Sequence, residues 1–86
     1  MAADRNYPAL AMSNEAFDQL RTAYKKATDE WVAAIRAEEE LATPDHSMIA
    51  MERWDDAHFK EDDAQSRAKQ ARDAYKDALR KANYGI

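Results

Sequence analysis

The chain has 86 residues, of which 45% are hydrophobic and 35% charged, and it contains one glycine, two prolines and no cysteine. The near absence of glycine and the abundance of alanine and charged residues exclude β-sandwiches, barrels and Rossmann units, while the absence of cysteine excludes disulfides, thiol catalysis and cysteine zinc sites. The length and a net charge of −4 at pH 7 indicate one small, acidic, helical domain with a thin core.

Residues 1–12 are the first predicted segment, an N-terminal arm. Its polar start lacks the basic stretch and the apolar run of a signal peptide, and nowhere does the chain reach the roughly 18 consecutive apolar residues of a membrane span. We therefore expect a soluble, cytoplasmic protein. The arm is expected to be partly disordered, with residues 7–12 running back over the last turns of the second helix.

The first helix is predicted to run from about Ser13 to Ala42. Ser13 and Asn14 are both good N-cap residues, and Glu15 follows in the first turn, where the helix dipole favours a carboxylate. A turn at residues 43–45 then ends this helix, because proline disfavours a helical conformation at the residue before it.

The second helix is predicted to open at Pro44, with Thr43 as its N-cap, and to run to about Asn83. Basic residues in its last turn and the glycine just beyond are typical of a helix end. The helical hairpin thus covers residues 13–83, and residues 84–86 are a C-terminal tail.

The residues expected to face the opposite helix recur at spacings of three and four, which is the heptad pattern of a coiled coil. In the first helix, positions a and d are held by Phe17, Leu20, Tyr24, Ala27, Trp31, Ala34, Glu38 and Leu41. In the second helix they are held by Ala50, Trp54, Ala57, Glu61, Ala64, Ala68, Ala71, Tyr75, Ala78 and Ala82. The sequence therefore predicts an all-α fold, an antiparallel two-helix hairpin that packs like a coiled coil along this seam.

Two helices joined by a short turn should place residues that are equidistant from Pro44 opposite each other. This rule sets Trp31 opposite Ala57 and Tyr24 opposite Ala64, and most other pairs also match a large side chain with a small one. Such alternation lets the layers of the seam interdigitate without voids.

Two glutamates interrupt the seam, Glu38 and Glu61, each opposite an alanine. Charged residues are rarely fully buried in proteins. We therefore expect both carboxylates to turn toward water, near Lys60 or Arg53.

One group of polar residues has the spacing of metal ligands. Asp55, His58 and Asp62 recur at intervals of three and four residues, which stacks an imidazole and two carboxylates on one helical face. Carboxylate and imidazole suit zinc, iron or manganese, and Glu30 or Glu61 could add a ligand if two hairpins assembled. The heptad frame places Asp55, His58 and Asp62 beside or outside the seam, which favours a solvated acidic face over a metal-binding bundle. We therefore expect no metal and no other cofactor.

Charge is unevenly distributed along the hairpin. Residues 29–63, around the turn, hold 12 acidic and 3 basic side chains, a net of −9, whereas residues 1–28 and 64–86 together hold 5 acidic and 10 basic side chains, a net of +5. Five basic residues share one side of the open end and form a possible nucleic-acid patch: Arg21, Lys25, Lys69, Arg72 and Lys76. Acidic residues interleave with these bases and no aromatic residue accompanies them, which is more typical of a salt-bridged surface than of a nucleic-acid site.

A second apolar surface lies outside the seam, near the turn. Five large side chains at heptad positions b, e and f form it, and we call them the apolar patch: Val32, Ile35, Met48, Met51 and Phe59. Such a patch left in water is unusual for a monomer, and pairing about a two-fold axis is the commonest way to cover one. The sequence therefore predicts a homodimer in which two hairpins form a four-helix bundle. The alternative is a monomer whose patch binds a different protein.

The function that the sequence favours is a small interaction or regulatory module, an adaptor that binds a protein partner through a helical face. No nucleophile constellation or glycine-rich loop is present, so enzymatic activity is not expected. Two alternatives remain open, an RNA-binding dimer of hairpins and an inhibitor that mimics nucleic acid with its acidic turn end.

Overall fold

The computed structural model describes residues 13–85, which form two α-helices packed against each other. α1 spans Asn14–Glu40 and α2 spans Met48–Tyr84. The described part of the chain contains no strand, which confirms the all-α hairpin. The helices run antiparallel, since the ring of Tyr24 near the start of α1 lies 6.5 Å from the ring of Tyr75 near the end of α2.

The hairpin is an elongated rod of 66 × 20 × 15 Å. Over the residues described, neither helix combines the length and the apolarity that crossing a membrane requires. The predicted N-terminal arm, residues 1–12, lies outside the described residues, as does Ile86.

α1 begins as predicted, with Ser13 as its N-cap. The Ser13 hydroxyl accepts a hydrogen bond from the backbone N–H of Ala16 at 3.1 Å, which satisfies one of the N–H groups that have no partner inside the helix. Glu15 lies in the first turn, at the positive end of the helix dipole. At the other end, the N–H of Leu41 donates to the carbonyl of Glu38 at 3.1 Å. α1 therefore ends at Glu40, two residues before the predicted end at Ala42.

α2 begins later than predicted. Its N-cap is Ser47, whose hydroxyl accepts a hydrogen bond from the N–H of Ala50 at 3.2 Å. The prediction that Thr43 caps a helix opening at Pro44 is therefore wrong. Ser47 has the extended backbone of an N-cap, with φ −69° and ψ 162°, and the connection between the helices is longer than a tight turn.

Asp45 explains why the chain does not enter the helix at Pro44. One carboxylate oxygen of Asp45 accepts a hydrogen bond from the N–H of Ser47 at 2.9 Å, an Asx turn that keeps the backbone before α2 out of helical conformation. The N–H of Asp45 donates in turn to the Thr43 hydroxyl at 3.3 Å. The backbone N–H of Ser47, and after it the Ser47 hydroxyl, hold the pKa of Asp45 below its ordinary value.

We expect the acid stability of the hairpin to depend on Asp45. Because the pKa of this carboxyl is lower in the folded than in the unfolded chain, ionised Asp45 stabilises the fold above the ordinary aspartate pKa, and this contribution is lost as the pH falls through the lowered value. An NMR titration of the Asp45 carboxyl carbon measures the pKa directly. Asp45→Asn keeps the acceptor for Ser47 and should remove this part of the pH dependence; an ordinary pKa for Asp45 would contradict the Asx turn.

α2 ends at the glycine that the sequence indicated. Gly85 is its C-cap, with a left-handed φ of 70°, a conformation that residues with a side chain seldom adopt. Its N–H donates to the carbonyl of Lys81 at 2.9 Å. The Lys81 side chain also places a positive charge in the last turn, where the helix dipole favours it.

The predicted seam is where the two helices meet. The buried residues of the described chain are Ala64, Ala68 and Ala78, all at seam positions of α2, and every predicted seam residue of the first helix is half-buried. The small alanines of α2 thus lie opposite the larger side chains of α1. Trp54 differs from the prediction: it is 40% exposed, because its ring stacks on His58 of its own helix, with centroids 5.7 Å apart.

Side chains that meet across the seam lie farther along α2 than the equidistance rule predicts. The indole of Trp31 hydrogen-bonds Glu61, about one helical turn beyond its predicted partner, and the ring of Tyr24 stacks on Tyr75, about three turns beyond its own. The equidistance rule is therefore wrong as a description of the register. A three-turn offset is about 16 Å along the helix axis, which is more than the lean of side chains toward the N-terminus of each helix can span. The helices themselves are thus shifted along each other relative to the predicted register.

Candidate functional site

All five residues of the apolar patch are exposed in the hairpin. The exposed fraction is 41% for Val32 and 43% for Ile35 on α1. On α2 it is 71%, 56% and 65% for Met48, Met51 and Phe59. The hairpin alone therefore leaves these side chains available to a partner.

Two more exposed apolar side chains lie at the same end of the hairpin, Ile49 and Trp54. The sequence prediction missed Ile49 as a surface residue and assigned Trp54 to the seam. The late start of α2 accounts for Ile49, because the first turn of this helix lies at the tip of the hairpin, where α1 has already ended. In the sequence, the apolar residues that directly follow Ser47 indicate this exposed first turn.

A polar cluster lies between the helices on the side of the patch. It joins Glu38 of α1 to His58 and Glu61 of α2, with one carboxylate oxygen of each glutamate and one imidazole nitrogen all within 4.8 Å of one another. We call these three half-buried residues the Glu–His–Glu cluster. In the heptad frame His58 shares position e with Ile35 and Met51, which places the cluster and the patch on the same flank of the hairpin.

The imidazole of His58 has a carboxylate near each ring nitrogen. Nδ1 lies 3.4 Å from Oε2 of Glu38, and Nε2 lies 3.5 Å from Oδ2 of Asp62. The ring of Trp54 is stacked almost parallel to the imidazole, at an interplanar angle of 3°. The His58 side chain is 44% exposed and that of Glu38 is 21% exposed, so solvent reaches the ring while the glutamate lies mostly covered.

Glu61 is held by an aromatic donor from the other helix. The indole N–H of Trp31 donates to Oε2 of Glu61 at 2.8 Å. Oε2 of Glu38 is buried and has no hydrogen-bond partner among the described residues. The expectation that both carboxylates turn to water near Lys60 or Arg53 is therefore wrong, because Trp31 and His58, rather than those bases, lie beside them.

Of the three residues with metal-ligand spacing, only His58 belongs to the cluster. Asp62 lies at the second ring nitrogen, and Asp55 is not among the grouped residues. Glu38 and Glu61 take the places of Asp55 and Asp62. Glu38 reaches His58 across the seam from α1, and Glu61 lies three residues after His58 on the same face of α2. Asp55 and Asp62, in contrast, lie at position b, which points away from the seam. The sequence feature that could have indicated the cluster is a glutamate at a seam position of each helix together with a histidine at position e of α2.

The five residues of the possible nucleic-acid patch are all exposed. Two of them are paired within their own helix: Arg21 lies 2.8 Å from Asp18, and Arg72 lies 3.1 Å from Asp73. These pairs neutralise part of the positive charge, as expected of a salt-bridged surface.

Comparisons of the chain with protein-family models, with curated proteins and with solved structures give no match. Function therefore has to be inferred from the apolar patch and the polar cluster themselves.

Proposed function

We propose that the chain is a small, non-enzymatic interaction module whose binding surface is the apolar patch, and that the patch binds a second copy of the chain to form a four-helix bundle. This proposal rests on one observation: the large hydrophobic side chains of the patch lie on the surface of the hairpin rather than in its core. No large hydrophobic side chain of the described residues is fully buried, whereas every patch residue is at least 41% exposed.

The thin core supports association. The buried residues of the described hairpin are all alanines, which contribute little apolar area. Full burial of a larger aliphatic or aromatic side chain stabilises a protein by about 1.5–3 kcal/mol. A second hairpin laid over the patch would cover five such side chains from each chain and supply the core that a small domain lacks.

The two-fold arrangement determines which charged residues of the two chains meet. The turn end carries a net charge of −9 and the remainder of the chain a net of +5. A two-fold axis perpendicular to the hairpin and through the patch sets the turn end of each chain against the middle of the other, bringing Glu39 toward Lys25 or Lys26. Because every patch residue lies within residues 29–63, the same axis also brings the two acidic segments together. The apolar side chains therefore supply the attraction, and contacts of Glu39 with Lys25 or Lys26 offset part of the repulsion.

Sedimentation equilibrium tests this proposal. We expect the 9.8 kDa chain to sediment at twice its mass at micromolar concentration. Ile35→Asp combined with Met51→Asp should produce monomers, because both aspartates would be desolvated inside the apolar interface. Circular dichroism reports whether the released monomer keeps its helices.

A matched variant separates loss of the interface from a general effect of charge. Ala33→Asp combined with Gln70→Asp adds the same two negative charges at exposed positions c of the two helices, and it should remain dimeric. A wild-type chain that sediments as a monomer, or a dimer that survives both patch aspartates, would overturn the proposed interface.

A further inference from the structure

The Glu–His–Glu cluster has the composition of a metal site. Two carboxylates and one imidazole converge from both helices, with their ligand atoms within 4.8 Å of one another. Carboxylate oxygen and imidazole nitrogen are ligands that proteins use for zinc and its neighbours in the first transition series. The cluster shares no residue with the apolar patch, so substitutions can test the metal site and the dimer separately.

The spacing of two cluster atoms is that of ligands sharing one cation. Nδ1 of His58 and Oε2 of Glu38 lie 3.4 Å apart without forming a hydrogen bond. Two ligands bound to one tetrahedral zinc ion at about 2.0–2.2 Å are separated by about 3.3–3.6 Å. The two atoms therefore need almost no movement to bind the same ion.

One ligand atom is left without a hydrogen-bond donor. Oε2 of Glu38 is buried and has no hydrogen-bond partner among residues 13–85. A buried carboxylate oxygen without a hydrogen-bond donor has lost its hydration, and the approach of Nδ1 of His58 to 3.4 Å replaces only part of it. A cation between Glu38 and His58 would supply the missing interaction.

The surrounding groups orient the ligands. The Asp62 carboxylate lies 3.5 Å from Nε2 of His58, where it can accept the Nε2 proton while Nδ1 binds a metal ion. The indole of Trp31 fixes one oxygen of Glu61 and leaves the other oxygen for a ligand bond. Outer partners of this kind are the usual accompaniment of metal-binding histidines and carboxylates.

We propose that Glu38, His58 and Glu61 bind one divalent transition-metal ion per chain, with zinc as the best match, through Nδ1 of the histidine and one oxygen of each glutamate. Three protein ligands leave the fourth tetrahedral position to water. Because Glu38 lies on α1 and the other two ligands lie on α2, the bound ion ties the helices together and stabilises the hairpin.

Isothermal titration calorimetry with zinc chloride, on the full chain freed of metal by a chelator, tests the site. We expect saturable binding of one ion per chain at pH 7 and a higher Tm in excess zinc. His58→Ala, Glu38→Gln and Glu61→Gln should each weaken zinc binding by at least about 10-fold, since loss of an outer partner alone weakens metal binding by about 10- to 100-fold. Circular dichroism confirms that each variant remains helical.

Two variants serve as matched controls. His46→Ala removes the other histidine of the chain, and Asp55→Asn removes an acidic residue of the same helix that lies outside the cluster; both should bind zinc as the wild type does. Magnesium, which prefers oxygen ligands in octahedral geometry, should bind far more weakly than zinc.

The absence of saturable zinc binding in the wild type would overturn the proposal. Equal zinc affinity in the wild type, His58→Ala and Glu38→Gln would also overturn it, by showing that zinc binds to other acidic side chains. Calorimetry counts ions per chain whatever the oligomeric state, so failure of the metal site and failure of the dimer give separate results.

Discussion

Replacing Trp31 with alanine is expected to lower the free energy of unfolding by about 3 kcal/mol, within the range for a large aromatic side chain removed from a packed interface. Trp31 is half-buried in the seam, and its indole donates to Glu61, so truncation removes both packing and a hydrogen bond to a carboxylate. A chain of this length has only about 4–13 kcal/mol of stability in total. Urea denaturation at fixed protein concentration, followed by circular dichroism, measures the change.

Two companion variants separate the contributions at this position. Trp31→Phe keeps a large ring and removes the indole donor, and it should cost about 1.5 kcal/mol, the lower end for a hydrogen bond to a charged group. Trp54→Ala should cost less than Trp31→Ala, because Trp54 is 40% exposed and stacks on its own helix. A loss below about 1 kcal/mol for Trp31→Ala, the size of an ordinary mutational effect, would mean that Trp31 does not pack in the seam.

Enlarging an alanine of the seam should also destabilise the hairpin. Ala64 is 3% exposed, so a leucine at this position has no free volume and must displace α1 or adopt a strained rotamer. We expect Ala64→Leu to cost about 1–3 kcal/mol. The same denaturation measurement gives the value.

The control for this prediction is Ala33→Leu, the same substitution at an exposed position of α1. Because alanine and leucine have similar helix propensities, its effect should stay within about 0.5 kcal/mol. Equal stabilities of Ala64→Leu and Ala33→Leu would contradict close packing of the alanines in α2.

The fold could be predicted from the sequence because its signals are local and repeated. Heptad spacing over both helices placed most of the half-buried residues in the seam, and Ser13 and Gly85 marked two helix ends. The start of α2 could not be predicted in this way. Thr43 and Ser47 are both acceptable N-caps, and the hydrogen bond from the Ser47 N–H to Asp45 decides between them.

The Glu–His–Glu cluster could not be predicted from the spacing of residues within a single helix. Glu38 and Glu61 each look like an interruption of a coiled-coil seam when their helices are considered separately. Their convergence on His58 depends on the register of the two helices, which differs from the register that equal distances from Pro44 predict. Sequence spacing therefore found His58 with Asp62 and named Glu61 only as an added ligand in an assembly of two hairpins. It missed Glu38, and with it the grouping of both glutamates around His58 within one hairpin.

A rod of 66 × 20 × 15 Å diffuses and tumbles unlike a sphere of the same mass. Its radius of gyration is 19.3 Å, whereas a compact domain of similar length would have about 11–12 Å. A single hairpin should therefore elute from a gel-filtration column ahead of globular proteins of its mass and imitate an oligomer. Pairing along the flank thickens the particle and lowers its frictional ratio, while contact at the tips lengthens it and raises that ratio. Sedimentation velocity thus distinguishes a flank contact from a tip contact between two chains.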